Sequence, residues 1–239
     1  MNITANSYTN TGGRSNNEDY CCYNITNAQS QFILCDGLGG HHDGEIASKL
    51  VCDYLLNESK NDCSYDENTL LEMMNNANIM LKQQQRHKKM CTTVVAAFID
   101  HYDFRYFHVG DSRLYYFKNG CLYHQSKDHS VSQVAATIGE IKYEDIRFHE
   151  DRNKLLKVLG NDDDLNIKKL EYPISIENND AFLLCSDGFW EYVYEAEMEA
   201  DLVKSISPNH WLSYMIKRIL LKQLKDNDNF TAIAVFVNE

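Results

Sequence analysis

The stretch Phe32-Ile-Leu-Cys-Asp-Gly-Leu-Gly-Gly-His41 decides the fold. Its first four residues are apolar, which predicts a short buried strand. Asp36 stands where that strand is expected to end, and Gly37, Gly39 and Gly40 follow it. Because glycine has no Cβ, the backbone can turn sharply here and approach a ligand closely. A carboxylate beside an open backbone, between a strand and a helix, is suited to holding a hard cation on oxygen ligands.

An amphipathic helix is predicted directly after this stretch. The apolar residues that recur there at helical spacing are Ile46, Ala47, Leu50, Val51, Tyr54 and Leu55. A second stripe of this kind predicts another helix, with Leu70, Leu71, Met74, Ala77 and Leu81. The clearest amphipathic helix is expected after the Ser207-Pro208 cap, with Trp211, Leu212, Met215, Ile216, Ile219 and Leu220 on its apolar face.

The middle of the chain is rich in strand patterns joined by short turns. Residues 92–99 predict a buried strand, and Asn119-Gly120 is a favoured hairpin turn. Short turns of this kind imply antiparallel pairing. We expect a helix to begin at Ser126 or Asp128 and a short helix over 154–159 to end at Gly160. Residues 131–153 are weakly patterned, which indicates a surface segment.

Composition limits the class of protein. The chain has 239 residues, enough for one domain over 1–239, and a formal net charge of -12. This charge argues against binding nucleic acid or anionic membranes, both of which require a basic surface. No apolar run is long enough to span a bilayer, and the N-terminus lacks the pattern of a signal peptide. We therefore expect a cytoplasmic protein.

The eight cysteines include no Cys-x-x-Cys pair, so a zinc site is not expected. Cys35, Cys91 and Cys185 lie in or beside apolar runs that predict strands. This placement indicates reduced cysteines rather than a disulfide framework.

Four aspartates occupy equivalent positions in the predicted structure. Asp36, Asp111 and Asp187 follow strands and Asp228 precedes one, and each stands beside Gly or Asn in a tight turn. One edge of a layered sheet structure could gather all four, where they would repel one another and raise each other's pKa. Divalent metal would relieve that repulsion, and oxygen-only ligands favour Mg²⁺ or Mn²⁺. The alternative is that these acids only cap turns.

Arg14 lies just before two adjacent acids, Glu18 and Asp19. One interpretation is an arginine fork that binds a phosphate or carboxylate, with acids nearby for metal or water. The other is a polar loop in which Arg14 pairs with Glu18 or Asp19.

Eight motifs taken in order resemble the metal-dependent serine/threonine protein phosphatases of type 2C, in their compact bacterial form. Each motif is short, but together they span nearly the whole chain. They are Arg14-Ser-Asn-Asn-Glu18-Asp19, Asp36-Gly-Leu-Gly-Gly-His41 with Gly44, Thr92-Thr93, Val109-Gly-Asp-Ser-Arg113 with Tyr115, Lys127-Asp-His-Ser130, Leu159-Gly160, Ser186-Asp-Gly188 and Asp228-Asn229-Phe-Thr231.

The resemblance implies an α+β fold, a four-layer α-β-β-α sandwich with two central antiparallel sheets, and a flap over about 131–153. It also implies the roles of the site residues. Asp36 would bridge two Mn²⁺ or Mg²⁺ ions, the Gly37 carbonyl would bind one of them, and Asp187 and Asp228 would hold the other. Asp111 would join Asp187 at a third, weaker site, and Arg14 would bind the substrate phosphate. Glu18 and Asp19 would act mostly through bound waters, and Asn229 would support the ligands.

The activity implied by the resemblance is hydrolysis of phosphoserine and phosphothreonine on proteins by a water or hydroxide that bridges two metals. Asp36, Asp187 and Asp228 would carry the catalysis. We expect a monomeric signalling enzyme that opposes a serine/threonine kinase. Two alternatives stay open: a catalytically weak regulatory module of the same fold, and a phosphatase of small phosphorylated metabolites.

The chain departs from the family pattern at Leu38 and Cys91, whereas His41 matches it. Many eukaryotic relatives have a histidine where Leu38 stands, so the acid that protonates the leaving group is not assigned. His41 is expected to steady the loop by hydrogen bonding. Cys91 replaces a glycine before Thr92, which is a minor change.

Overall fold

The structure is a computed structural model and describes residues 2–39, 43–59, 65–85, 89–161, 164–223 and 225–238. The described strands are β1 Asn2–Asn10, β2 Asp19–Ile25, β3 Gln29–Leu38, β4 Cys91–Thr92, β5 Val94–Asp100, β6 Asp103–Val109, β7 Arg113–Lys118, β8 Cys121–Gln125, β9 Lys168–Lys169, β10 Ile174–Ser175, β11 Ala181–Cys185 and β12 Phe230–Asn238. The α-helices are α1 Asp43–Glu58, α2 Glu67–Gln84, α3 Val131–Thr137, α4 Asp187–Trp190, α5 Glu195–Val203 and α6 Pro208–Lys222, and a 3-10 helix spans Tyr143–Phe148.

The strands form two antiparallel sheets. One has five strands in the order β1-β12-β11-β7-β8. The other has seven, in the order β10-β6-β5-β3-β2, with β4 paired to β3 and β9 paired to β6. The β7–β8 hairpin turns at Asn119 and Gly120, both at positive φ (49° and 82°), as an Asn-Gly turn requires.

Alternation along β3 shows how the layers form. Phe32 and Leu34 pack between the two sheets, against Phe182 and other residues of the facing sheet. Ile33 and Cys35 point the other way and pack against α1 and α2. A third cluster joins α4, α5 and α6 to the outer face of the five-stranded sheet. The predicted four-layer α-β-β-α sandwich is confirmed.

Three predictions of local structure were wrong. Strand β3 does not end at Asp36 but continues to Leu38, because Gly37 and Leu38 pair with β4. Helix α3 is capped by Ser130, whose side chain accepts from Gln133 N–H, and not by Ser126 or Asp128. Residues 154–159 are irregular rather than helical, and Leu155 and Leu159 form isolated bridges to Ser130 and Thr92.

Within the described residues, no helix combines the length and apolar character needed to cross a membrane. The seven cysteines of this part of the chain form no disulfide with one another.

Candidate metal-binding active site

A cavity of about 420 Å³ lies at one end of the sandwich, where strand ends of both sheets meet. It gathers all four aspartates that the sequence singled out. The lining residues are Arg14, Ser15, Asn16, Glu18, Asp36, Gly37, Leu38, Gly39, Asp111, Asn153, Leu155, Asp187, Asp228 and Asn229. Asp19 is buried, with 6% of its surface exposed. His41 lies outside the described residues.

The backbone of Asp36 is fixed by Thr93. Asp36 N–H donates to Thr93 Oγ1 at 3.1 Å, and the Asp36 carbonyl accepts from Thr93 N–H at 2.8 Å. At Gly37, a Cβ would lie 2.0 Å from the Gly44 carbonyl oxygen, so no larger residue fits between β3 and α1. The result is a rigid strand that presents the Asp36 carboxylate and the Gly37 backbone to the cavity.

Asp187 and Asp228 lie next to the ends of two strands of the five-stranded sheet, β11 and β12. Asp187 is the first residue of α4, and its Oδ1 is enclosed without a hydrogen-bond partner among the described residues. Asp228 precedes β12, and its Oδ1 accepts from Asn229 N–H at 2.8 Å. Gly188 allows the two segments to pack closely, since a Cβ there would lie 2.1 Å from the Asn229 carbonyl oxygen.

Asp19 and Asn229 lock the N-terminal loop to the site. Ser186 Oγ donates to Asp19 Oδ2 at 2.7 Å, whereas Asp19 Oδ1 is enclosed without a partner among the described residues. The Asn229 side chain accepts from Glu18 N–H at 2.8 Å and donates to the Asn16 carbonyl at 2.9 Å. These contacts hold Glu18 and Asp19 beside the other acids.

The carboxylates destabilise one another's charged forms. Burial raises the pKa of Asp36 and of Asp187 well above the usual range, and the neighbouring aspartates raise both further. The pKa of Asp111 rises to about 8, mainly because of burial and then because of Asp128. Burial also raises the pKa of Asp19 to about 7. Cations bound in this cavity would reverse these shifts.

The donor set fits hydrated Mg²⁺ or Mn²⁺. All the charged donors are carboxylates, which are the ligands that hard cations prefer. Two enclosed oxygens, Asp19 Oδ1 and Asp187 Oδ1, lack hydrogen-bond donors among the described residues. No group of three His, Cys, Asp or Glu side chains in the described part of the chain is compact enough for an all-protein cage. Mg²⁺ usually binds one or two carboxylates and keeps several waters, so such a cage is not required.

Arg14 lies at the mouth of the cavity and pairs with Asp228. Its Nε and Nη2 donate to the two carboxylate oxygens at 3.1 and 2.9 Å. The Arg14 side chain is 55% exposed and that of Asp228 is 39% exposed. Pairing with Asp228 raises the pKa of the Arg14 guanidinium. The alternative interpretation, that Arg14 pairs with Glu18 or Asp19, named the wrong partner, because the guanidinium pairs with Asp228.

The Asp111 turn is held by residues that the sequence did not assign to the site. Trp190 Nε1 donates to the Asp111 carbonyl at 3.0 Å, and the Arg113 guanidinium lies 3.4 Å from the centroid of the Trp190 ring. Arg113 in turn pairs with both oxygens of Asp128 at 2.7 and 2.8 Å. Asn153 and Leu155 close the cavity on the side of the predicted flap.

Similarity to known proteins identifies the family of this chain. Residues 9–226 match the family model described as Protein phosphatase 2C, so the chain belongs to the protein phosphatase 2C family. It is 31% identical over 182 residues to the serine/threonine phosphatase stp of Listeria innocua, covering 72% of this chain and 71% of the relative. It is 30% identical over 244 residues to the protein phosphatase PhpP of Streptococcus pneumoniae, covering 95% and 94%.

Solved structures agree with this assignment. The serine/threonine phosphatase Stp1 from Staphylococcus aureus superimposes with a TM-score of 0.88 at 28% identity, covering 100% of this chain and 96% of that one. The catalytic domain of the phosphatase PstP in complex with two manganese ions superimposes with a TM-score of 0.83 at 24% identity, over 99% of both chains, and shares the fold.

The chain is therefore a serine/threonine protein phosphatase, a hydrolase that acts on phosphoproteins. The family and the activity that the sequence predicted are confirmed, and the family is metal-dependent. A regulatory module or a metabolite phosphatase is not favoured.

Proposed function

We propose that the cavity holds two divalent cations, Mn²⁺ or Mg²⁺, as the catalytic cofactor. Asp36 would bridge the two ions, with the Gly37 carbonyl on one of them and Asp187 and Asp228 on the other. Asp111 would join Asp187 at a third, weaker site. The two manganese ions in the PstP domain support a pair of ions.

One observation carries this proposal. Asp36, Asp111 and Asp187 line a single cavity, and the pKa of each is raised by burial and by neighbouring carboxylates. Among the described lining residues, five acids (Glu18, Asp36, Asp111, Asp187 and Asp228) face one basic side chain, Arg14. This excess of negative charge gives the cavity a strong electrostatic requirement for cations. Turn capping alone would not bring acids from both sheets to one point.

When bound, the ions supply Lewis acidity, which polarises the phosphoryl oxygens and lowers the pKa of a bound water. The chain contributes orientation and charge. Arg14 binds the phosphate through charge-assisted hydrogen bonds. The Thr93 contacts to the Asp36 backbone keep that carboxylate fixed, and the Ser186 hydroxyl orients Asp19. In this proposal a bound water is the nucleophile, so the reaction needs no nucleophile from the protein.

The biological setting follows by analogy with bacterial relatives. The chain would be a monomeric, cytoplasmic signalling enzyme, folded as one domain over 1–239, that reverses the action of a serine/threonine kinase. The segment over about 131–153, which contains α3 and the 3-10 helix, would form a flap beside the bound substrate.

A substrate comparison tests the proposal. Dialysed, metal-free enzyme is assayed on a phosphothreonine peptide and on a nucleotide monophosphate, with and without Mn²⁺. We expect turnover of the peptide that requires Mn²⁺ and a much lower kcat/KM on the nucleotide. Preference for the nucleotide would indicate a metabolite phosphatase. Full turnover in excess EDTA would contradict the metal assignment.

A further inference from the structure

His129 lies in the link between β8 and α3 and binds both backbone groups of Gly110. Its own N–H donates to the Gly110 carbonyl at 2.8 Å, and its Nδ1 accepts from Gly110 N–H at 3.1 Å. The side chain is enclosed, with 5% of the residue exposed, and its ring stacks on His108 with centroids 5.2 Å apart. One residue thus fixes the peptide groups on both sides of Gly110, the residue that precedes Asp111.

The contacts of the imidazole define its protonation. A backbone N–H can only donate, so Nδ1 must present a lone pair to Gly110. The proton is then on Nε2, which donates to the Asn166 carbonyl at 2.9 Å. The ring is neutral in this arrangement, and burial lowers the pKa of His129 in the same sense.

Gly110 has a conformation that no other residue adopts easily. Its φ is +106°, and a Cβ would lie 2.6 Å from the Thr93 side chain. On the far side of the turn, Thr93 Oγ1 and Ser112 Oγ are 2.7 Å apart. The turn that carries Asp111 is therefore held between Thr93 on one side and His129 on the other.

His129 also contacts the segment that contributes Leu155 to the cavity wall. Its carbonyl accepts from Leu156 N–H at 2.8 Å, and the neighbouring Ser130 bridges to Leu155. Leu155 lines the cavity. The same residue therefore sets the position of the Asp111 turn relative to the wall formed by 153–155.

We propose that His129 is a positioning residue for the phosphatase reaction: its imidazole holds Gly110 N–H and so sets the direction in which the Asp111 carboxylate enters the cavity. The inference rests on the proposed function, because it takes Asp111 as a carboxylate that binds metal.

Two substitutions at His129 each keep one of the two hydrogen bonds of the imidazole and remove the other. In His129→Asn, the amide oxygen replaces Nδ1 and can accept from Gly110 N–H. In His129→Gln, the amide nitrogen replaces Nε2 and can donate to the Asn166 carbonyl, but Gly110 N–H loses its acceptor. Both variants lose the ring stacking, so both should lower Tm to a similar extent.

The readouts are Mn²⁺ calorimetry and steady-state kinetics on p-nitrophenyl phosphate. Asp111→Asn first identifies the part of the isotherm that depends on Asp111. For that part we expect His129→Gln to weaken Mn²⁺ binding by about tenfold or more, as loss of a ligand-orienting hydrogen bond does elsewhere. The kcat should fall by a similar factor, with KM changed less. His129→Asn should stay within about threefold of wild type in both measurements.

His124→Gln is the matched control. His124 hydrogen-bonds to the Tyr106 hydroxyl at 2.9 Å and takes no part in the Gly110 contacts, so Mn²⁺ binding should be unchanged. Equal effects of Asn and Gln at position 129 would overturn the positioning role. Absence of metal-dependent turnover in the wild-type chain would instead contradict the proposed function, and the Mn²⁺ isotherms of the two variants would then decide the role of His129.

Discussion

Arg14 and Asp228 form a bidentate ion pair across the mouth of the cavity, although they are 214 residues apart in the chain. The pair joins the residue proposed to bind phosphate to a carboxylate proposed to bind metal. Metal at Asp228 would compete with Arg14 for the same oxygens and leave the guanidinium available to the substrate phosphate. The two roles are thus linked through one carboxylate.

Arg14→Ala should impair substrate binding rather than metal binding. Loss of a charge-assisted hydrogen bond to phosphate costs about 1.5–3 kcal/mol, which is about ten- to hundredfold in kcat/KM. Most of the loss should appear as a raised KM if the contact is equal in the ground and transition states. Steady-state kinetics on a phosphothreonine peptide, beside Mn²⁺ calorimetry, measures both effects.

The opposite pattern would contradict this role for Arg14. If Arg14 served only to hold the loop, its loss would weaken Mn²⁺ binding and leave KM unchanged. Lys217→Ala is a suitable control, because Lys217 lies on α6, does not line the cavity and contacts the ring of Tyr214.

Removing divalent metal should destabilise the fold as well as abolish activity. A ligand present at about 100 times its Kd stabilises the native state by about 2.7 kcal/mol, which is about 5–10 °C in Tm for a chain of this size. Thermal unfolding in EDTA and in Mn²⁺ measures the difference. An identical Tm in the two conditions would show that the acids of the cavity do not bind the ion.

Asp187→Asn should separate stability from activity. Turnover should fall by about a hundredfold or more, because a metal-binding carboxylate is lost. The metal-free variant should nevertheless be as stable as wild type or more so, because one charge leaves a group of mutually repelling acids. Assays with Mn²⁺ and thermal unfolding in EDTA give the two values.

Asp103→Asn is the matched control for this substitution. Asp103 is an exposed acid at the start of β6, whereas Asp111 follows the other end of that strand. Its loss should therefore affect neither turnover nor the Mn²⁺-induced rise in Tm. Near-normal turnover by Asp187→Asn would show that the carboxylate is not required.

The position of the cavity could be predicted because it depends on local patterns. A buried apolar run followed by Asp and Gly marks the end of a strand, and this pattern occurs at Asp36 and Asp187. Antiparallel sheets bring such ends together, so the aspartates met as expected. The extension of β3 to Leu38 could not be predicted, because it depends on pairing with β4, far away in sequence.

Features that depend on tertiary contacts could not be predicted from the sequence. Strand β1 is polar and has little apolar pattern, yet it pairs with β12 along its whole length, Asn2 opposite Asn238 and Asn10 opposite Phe230. Its formation follows from the partner strand and not from its own residues. Asp128 has the composition of a helix cap, but the buried guanidinium of Arg113 takes both of its carboxylate oxygens.

That buried pair should be one of the most sensitive points of the fold. The side chains of Arg113 and Asp128 are 4% and 2% exposed, so Asp128→Asn leaves a guanidinium charge with a weakened partner in a dry environment. Breaking a buried pair costs about 3–5 kcal/mol, whereas breaking an exposed one costs about 0–1 kcal/mol. Urea unfolding of Asp128→Asn should therefore show a large loss of stability.

Lys142→Met is the control for this prediction. It breaks the pair of Lys142 with Glu144, whose side chains are 78% and 73% exposed, and should change the free energy of unfolding little. Equal losses in the two variants would show that the buried pair adds no more to stability than a surface pair does.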